Sequence, residues 1–220
     1  HGYFLRPGDV TKPITFAVEN LRDGRSFSAR RTHALQDGVP ILSMTTSFQV
    51  DQPGLDHTDT PPPSVPGPDK VPSALQVLAG IDHPMADFWT QAAAFDLRHV
   101  EDALYLQPGP MASGHQLVWM KARAPLPDDQ VLHRALLAYA CDQVLLEPVL
   151  RRHGLSWASP GLSMASLDHA MWWHRPVRAD EWLLYVQSTP SAHHRRAPGP
   201  PPGYRQHRPP VATIAPDGPV

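Results

Sequence analysis

The chain has 220 residues, with 19 Lys and Arg against 21 Asp and Glu, so its formal net charge is -2. This balance gives no electrostatic reason to bind nucleic acid or an anionic membrane, and no apolar run approaches the roughly 20 residues of a membrane span. The single cysteine, Cys141, excludes an internal disulfide and a zinc site built from cysteines. A hydrophobic fraction of 41% is enough for a folded core.

The amino-terminal part is predicted to be a β-meander. The chain opens at His1 rather than Met without a signal-peptide pattern, and we therefore expect it to be a fragment. After an alternating segment at 1–9, the dipeptides Asp23-Gly24 and Asp37-Gly38 are typical hairpin turns between apolar, β-branched segments. The predicted strands are 14–21, 26–35 and 40–50.

A change of composition marks the next part of the chain. Residues 51–72 are proline-rich, polar and without periodicity, which predicts a semi-rigid linker. Residues 73–94 are predicted to be helical, with a break at Pro84. Further strands are predicted at 95–100, 115–124, 163–173 and 181–188.

The region 127–154 is predicted to be a long helix. Asp128 and Asp129 favour its amino terminus, and Gly154 is a typical stop. Its interior, 135–141, is apolar on all sides, which predicts a buried helix. A buried helix followed by antiparallel strands indicates a sheet wrapped round that helix.

Asp142 is the most informative candidate for chemistry. It follows the apolar run directly, and a carboxylate in a core is costly unless it is paired or hydrogen-bonded. We therefore expect the apolar helix to desolvate Asp142 partly. The alternative, at comparable weight, is that Asp142 caps a second helix beginning at Gln143.

The segment 166–176 is rich in polar and aromatic residues. A Ser-His-Asp triad from Ser166, Asp168 and His169 is disfavoured, because neighbours on a strand point to opposite faces and no G-x-S-x-G elbow is present. We expect Asp168 and His169 to be structural. His169 and His174 are five residues apart, so they do not form a metal pair on one strand face, and we expect no metal site. Cys141 is expected to be a core thiol.

Four motifs point to a family. The segments HGYFLRPGD (1–9), LRDGRSFSARR (21–31), YACDQVLL (139–146) and SLDHAMWWHRPVRADEWLLY (166–185) closely resemble the type II acyl-CoA thioesterases. The resemblance runs from His1 to about Ala192, and the linker is its least similar part. Convergence on four such motifs in the same order is implausible.

The resemblance implies an α+β double hotdog fold, in which each unit wraps an antiparallel sheet round a long helix. It divides the chain into an incomplete first unit at 1–50, the linker at 51–72, and a second unit at 73–220. It also implies hydrolysis of acyl-CoA to a fatty acid and coenzyme A, with Asp142 as the general base for a water that Ser166 orients. No cofactor is needed.

Two departures from the family pattern bear on activity. The first unit lacks its opening strand and helix, which leaves an apolar face on 1–50 to be covered. The segment 193–210 is proline-rich and predicted to be irregular; a reading-frame slip or a divergent tail would explain it. Where the family has a Gln that contacts the water, this chain has Pro216.

Three function classes therefore stay open. Acyl-CoA hydrolysis leads, a catalytically impaired acyl-CoA-binding or assembly module is the alternative, and a hotdog hydratase is the third. The expected partners are an acyl-CoA substrate and further copies of the chain, with neither nucleic acid nor membrane. Because the chain ends in GPV rather than in a peroxisomal signal, the expected location is the cytoplasm.

Overall fold

The computed structural model describes residues 1–58, 61–111, 113–192, 196–198, 203–205 and 210–219, with backbone alone at 196–198, 203–205 and 216–219. The strands are β1 (Gly2–Phe4), β2 (Thr15–Asp23), β3 (Phe27–Gln36), β4 (Val39–Gln49), β5 (Phe95–His99), β6 (His115–Ala122), β7 (Asp168–Trp173), β8 (Leu183–Ser188), β9 (Arg196–Pro198), β10 (Gly203–Arg205) and β11 (Pro210–Pro219). The helices are α1 (Ala74–Val77), α2 (Pro84–Asp87), α3 (Gln130–Asp142) and α4 (Glu147–His153). A 3₁₀ turn spans Pro68–Lys70 and a π-helical turn spans Phe88–Ala92.

The described strands form one antiparallel sheet in the order β2-β3-β4-β1-β7-β11-β10-β8-β6-β5, with β9 beside β11. The short strand β1 joins the meander to the rest of the sheet, because it pairs with β4 on one side and with β7 on the other. Gly2 lies opposite Met44 of β4 and opposite His169 of β7. The sheet is therefore continuous from the meander to the strands that carry the core.

The predicted meander is confirmed as β2, β3 and β4, within one or two residues at each end. Asp37 (φ 49°) and Gly38 (φ 77°) form the tight turn between β3 and β4, as an Asp-Gly pair favours. On β2, Phe16 and Val18 point to one face and are 65% and 61% exposed. No helix covers this face from within residues 1–58, all of which the structure describes. The expectation of an uncovered apolar face is thus met.

Helix α3 lies against the sheet of the second half. Asp129 accepts hydrogen bonds from the backbone N–H groups of Val131 and Leu132, which caps the helix as predicted. The buried side contributes Leu137, Ala140 and Cys141 to the main core. The side chains that complete this core include Phe95, Leu97, Val118, Met120, Leu183, Tyr185, Ala212 and Ile214.

The prediction that α3 is buried on all sides is wrong. Tyr139 is 47% exposed and Val131 is also exposed, because the sheet covers only one side of this helix. The apolar run in the sequence therefore exceeds what the sheet can bury.

The prediction of one helix over 127–154 is also wrong. The α-helix ends at Asp142, residues 143–146 form turns, and α4 begins at Glu147. Pro148 explains the interruption, because it has no N–H to donate to the carbonyl of Val144 and its ring crowds that carbonyl. Gly154, in the left-handed conformation with φ 63°, ends α4 as predicted.

The remaining elements are of the type that the sequence predicts, a helix or a strand, although their bounds differ. The break at Pro84 is confirmed, since α1 and α2 are separated by a turn with Gly80 at φ 74°. The predicted strand at 163–173 begins only at Asp168. The segment 193–210 contributes β9 and β10, and its other residues up to 209 lie outside the described residues. None of the described helices is long and apolar enough to cross a bilayer.

Candidate active site

The two predicted site residues lie together. Asp142 is the last residue of α3, and Ser166 lies in the loop that leads into β7. The Ser166 hydroxyl donates a hydrogen bond of 3.3 Å to Oδ1 of Asp142. Asp142 is exposed and Ser166 is half-buried, so a small molecule can approach the pair from solvent.

Two expectations about Asp142 are wrong. It does not cap a second helix, because residues 143–146 are turns and the residue before α4 is Leu146. Nor does the apolar helix bury Asp142, since α3 presents this residue on its exposed side. Exposed Asp142 can therefore meet solvent or substrate.

The neighbours of Ser166 on β7 have separate environments. Asp168 approaches the ring of His1, with Oδ2 3.3 Å from Nε2, as expected of a structural contact between strands. His169 lies on the face of β7 that carries Met171, and Met171 packs on the main core. Nε2 of His169 is buried without a hydrogen-bond partner in the described part of the chain. Burial lowers the pKa of His169 and outweighs the opposing influence of the Asp142 carboxylate.

Cys141 and His174 take no part in the pair. Cys141 is fully buried in the core, as predicted, and burial, followed by the Asp142 carboxylate, raises the pKa of its thiol. His174 is exposed, and its Nε2 lies 2.8 Å from the hydroxyl of Thr213. Among the described residues, no three His, Cys, Asp or Glu side chains are arranged to hold a metal ion.

Pro216 lies on β11, opposite His169 of β7 in the register. The strand therefore runs through the position that the resemblance assigns to a Gln. A proline has no side-chain polar atom and no backbone N–H, so it offers a bound water or acyl group no hydrogen-bond donor.

A buried polar network, which the sequence analysis missed, lies beneath the end of α3. The carboxylate of Glu147 is completely buried. Its Oε2 lies 2.7 Å from Nε2 of His99 and accepts a hydrogen bond of 2.6 Å from the Gln116 amide. Its Oε1 accepts a bond of 2.8 Å from the indole of Trp157. Burial alone would raise the pKa of Glu147, but His99 and these donors hold that pKa below its ordinary value.

The network continues from Gln116 to the helix interruption. Gln116 Oε1 accepts hydrogen bonds of 3.1 and 2.9 Å from the guanidinium of Arg151. Gln116 Nε2 also donates, over 3.1 Å, to Oε1 of Gln187. Gln187 in turn donates to the carbonyl of Val144 at 2.9 Å and to that of Leu145 at 3.4 Å. These carbonyls belong to the turns that directly follow Asp142.

A signal for this network is present in the sequence. On β5, β6 and β8 the core-facing positions are apolar except at one end of each strand, where His99, Gln116 and Gln187 occur. Three adjacent strands with a polar residue at a core-facing position predict a shared buried partner. Locating that partner at Glu147 requires the three-dimensional path of the chain.

Two family models match the chain. The model described as acyl-CoA thioesterase matches residues 90–218, and the model described as acyl-CoA thioesterase N-terminal domain matches residues 1–49. Together these matches include both motif-rich parts of the chain and leave out the whole linker at 51–72.

Two curated proteins illustrate the similarity in sequence. The chain is 32% identical over 193 residues to acyl-CoA thioesterase 2 of Haemophilus influenzae, covering 84% of this chain and 66% of that protein. It is 32% identical over 206 residues to human acyl-coenzyme A thioesterase 8, covering 87% of this chain and 63% of that protein. The chain thus spans just under two thirds of the length of these relatives.

Solved structures show the same relationship. The chain is 41% identical to an acyl-CoA thioesterase II from Mycobacterium marinum, with a TM-score of 0.77, covering 99% of this chain and 77% of that one. A protein from Alicyclobacillus acidocaldarius, described as having a hot dog fold, matches at 20% identity with a TM-score of 0.78, covering 99% and 76%. The expected α+β hotdog fold is confirmed by these likenesses.

Proposed function

Because the chain belongs to the acyl-CoA thioesterase family, we propose that it hydrolyses acyl-CoA thioesters to a free fatty acid and coenzyme A. The observation that supports this most directly is the hydrogen bond of 3.3 Å between the Ser166 hydroxyl and Asp142. It joins a carboxylate and a hydroxyl that are separated in sequence, at an edge of the core open to solvent.

The chemistry requires only a water molecule and these two side chains. The Asp142 carboxylate accepts a proton from the water as its oxygen attacks the thioester carbonyl carbon. The Ser166 hydroxyl holds the water and the carboxylate in line with that carbon. The tetrahedral intermediate then collapses, the carbon–sulfur bond breaks, and coenzyme A leaves as a thiolate that takes up a proton. The two products, the fatty acid and the coenzyme A thiol, together contain every atom of the acyl-CoA and the water.

Pro216 sets an expectation for the rate. The loss of one polar group that contacts the reacting atoms commonly costs about 10²–10³ in rate. Because Pro216 provides no such group from its strand position, we propose that this chain hydrolyses acyl-CoA slowly.

The test is a thiol-release assay with the purified chain and acyl-CoA substrates of several lengths, read with a chromogenic disulfide. Buried Cys141 makes a blank of protein and reagent without acyl-CoA necessary. We expect slow release by the unmodified chain and release about a thousandfold slower by Asp142→Asn. Asp128→Asn is the matched control, because Asp128 is an exposed carboxylate near the other end of α3. Binding of acyl-CoA without release by any variant would instead support the binding-module alternative.

We further propose that residues 1–50 and 73–220 act as two hotdog units joined by the linker at 51–72, and that the chain forms homo-oligomers in the cytoplasm. The exposed side chains of Phe16 and Val18 support self-association. Light scattering coupled to size-exclusion chromatography tests the oligomer, and a fluorescent fusion tests the location.

A further inference from the structure

The interruption after Asp142 leaves backbone groups that need partners. In a continuous helix the carbonyl of Val144 would accept from residue 148, which is a proline without an N–H. The N–H of Val149 bonds to Leu146 instead of Leu145. The carbonyls of Val144 and Leu145 are therefore both released from the α-helical pattern in a region that is buried. The carbonyl of Val144 still accepts a 3₁₀-type bond of 3.2 Å from the N–H of Glu147, whereas no backbone bond among the described residues reaches the carbonyl of Leu145. A buried carbonyl without a partner is costly.

One side chain bonds to both carbonyls, adding a second donor for Val144 and supplying one for Leu145. Nε2 of Gln187, on β8, donates to the carbonyls of Val144 and Leu145. Gln187 is completely buried, and its own carbonyl oxygen accepts from Gln116. The amide can therefore neither flip nor rotate without losing bonds at both ends, and it ties the first turn after Asp142 to the sheet.

The remainder of the network makes this tie rigid. Gln116 is held by Arg151 on one side and by Glu147 on the other. Well-packed apolar side chains would stabilise a core at least as well as a buried ionic group does, because desolvation of the charge is expensive. The network is thus better explained by a requirement for one fixed geometry at the helix interruption than by stability alone.

We propose that Gln187, locked by Gln116 and Glu147, is a positioning residue that fixes Asp142 at the end of α3 in line with Ser166. This inference rests on the proposed function for its effect on rate, but the geometry at the interruption is testable without it. Misplacement of a catalytic group by about 1 Å costs up to about a hundredfold in rate. We expect Gln187→Met to lower kcat about tenfold to a hundredfold and to leave KM within about twofold.

The matched control is His133→Leu. Like Gln187, His133 is completely buried. It links α3 to the rest of the fold, because its Nδ1 accepts a hydrogen bond of 3.1 Å from the backbone N–H of Ala179. His133 lies on α3 about two and a half helical turns before Asp142. Gln187→Asn, which keeps the amide but shortens its reach, replaces Gln187→Met if the methionine variant does not fold. Assays are run well below each variant's Tm.

Amide hydrogen exchange over residues 143–147 gives a readout that does not need turnover. The expected result is faster exchange there and a lower kcat in the Gln187 variant, with neither change in His133→Leu. If the parent chain is inactive, but exchange at 143–147 is still faster in the Gln187 variant and not in His133→Leu, the proposed hydrolysis is refuted and the positioning role of Gln187 stands. Unchanged exchange at 143–147, an unchanged kcat in an active protein, or equal loss of kcat in both variants would overturn the positioning role.

Discussion

Ser166 donates its hydroxyl hydrogen to Oδ1 of Asp142 over 3.3 Å, although 24 residues separate them along the chain. One residue ends a helix and the other leads into the central strand β7, so the contact depends on how the helix docks on the sheet. If the two side chains act together, the effects of substituting each of them on kcat should not be additive.

We expect Asp142→Asn to lower kcat about a thousandfold, since a general base contributes about 10²–10⁴. Ser166→Ala is expected to lower kcat about tenfold on its own, because the hydroxyl orients rather than reacts. In the double variant the serine substitution should cost almost nothing further, as residues that act together are non-additive. The measurement is a double-mutant cycle of kcat; full additivity would mean that the two side chains work independently.

The pairing of Asp142 with Ser166 could be anticipated only through family resemblance. Local patterns located the meander through its Asp-Gly turns and α3 through its cap at Asp129, because such signals depend on neighbouring residues. The same patterns overestimated the burial of α3. The apolar pattern of a helix shows which side chains can be buried. Whether Tyr139 is buried depends on whether a second layer of the fold packs on its side of the helix.

The helix interruption shows a different limit. Pro148 is visible in the sequence, yet proline is tolerated near the start of a helix as well as after its end. Whether the chain bends or restarts there depends on a donor for the freed carbonyl of Val144. The N–H of Glu147 is a local donor to this carbonyl, but the second donor, Gln187, comes from a strand more than forty residues later, and no local pattern contains this information.

The exposed face of β2 predicts concentration-dependent association. Phe16 and Val18 point to the same side of a strand whose residues are all exposed, and a patch of this kind favours contact with other protein surfaces. We expect a Phe16→Ser, Val18→Thr variant to remain smaller than the parent chain at equal concentration in light scattering. Glu19→Gln, on the opposite face of β2, is the control. Equal association by all three proteins would exclude this face as the contact.

A pH-dependent contribution to stability is expected from Asp180. Hydrogen bonds from Arg178, together with one from the backbone N–H of Leu126, lower the pKa of Asp180 from 3.8 to about 2 despite the opposing effect of burial. Because the pKa is lower in the folded state, this stabilisation is complete above pH 3.8 and disappears as the pH falls through about 2.

The variant that tests this is Asp180→Asn. At pH 7 we expect its free energy of unfolding to be lower than that of the parent by about 1.5–3 kcal/mol, the usual contribution of a hydrogen bond to a charged group. The difference should shrink between pH 4 and pH 3 in urea unfolding, as the sign of the pKa shift requires. A difference that stays constant over this range would show that the asparagine perturbs packing rather than charge.

The substitution Pro216→Gln is expected to raise activity. Residue 216 lies opposite His169 in the register of β11 with β7, and β7 follows Ser166 almost directly. By the family resemblance, an amide at this position contacts the attacking water, which Pro216 cannot do. Polar groups of this kind contribute about 10²–10³ to the rate, so we expect kcat to rise by up to about a hundredfold.

The control for this gain is Pro190→Gln, which changes an exposed proline just after β8. Both variants lose a proline and gain an amide, so a general effect of proline removal on expression or folding appears in both. The thermal midpoint of each is measured beside kcat and KM in the thiol-release assay. A rise in kcat confined to Pro216→Gln would assign the effect to its place on β11. A folded Pro216→Gln protein that is no faster than its parent would show that the amide does not contact the attacking water from this strand.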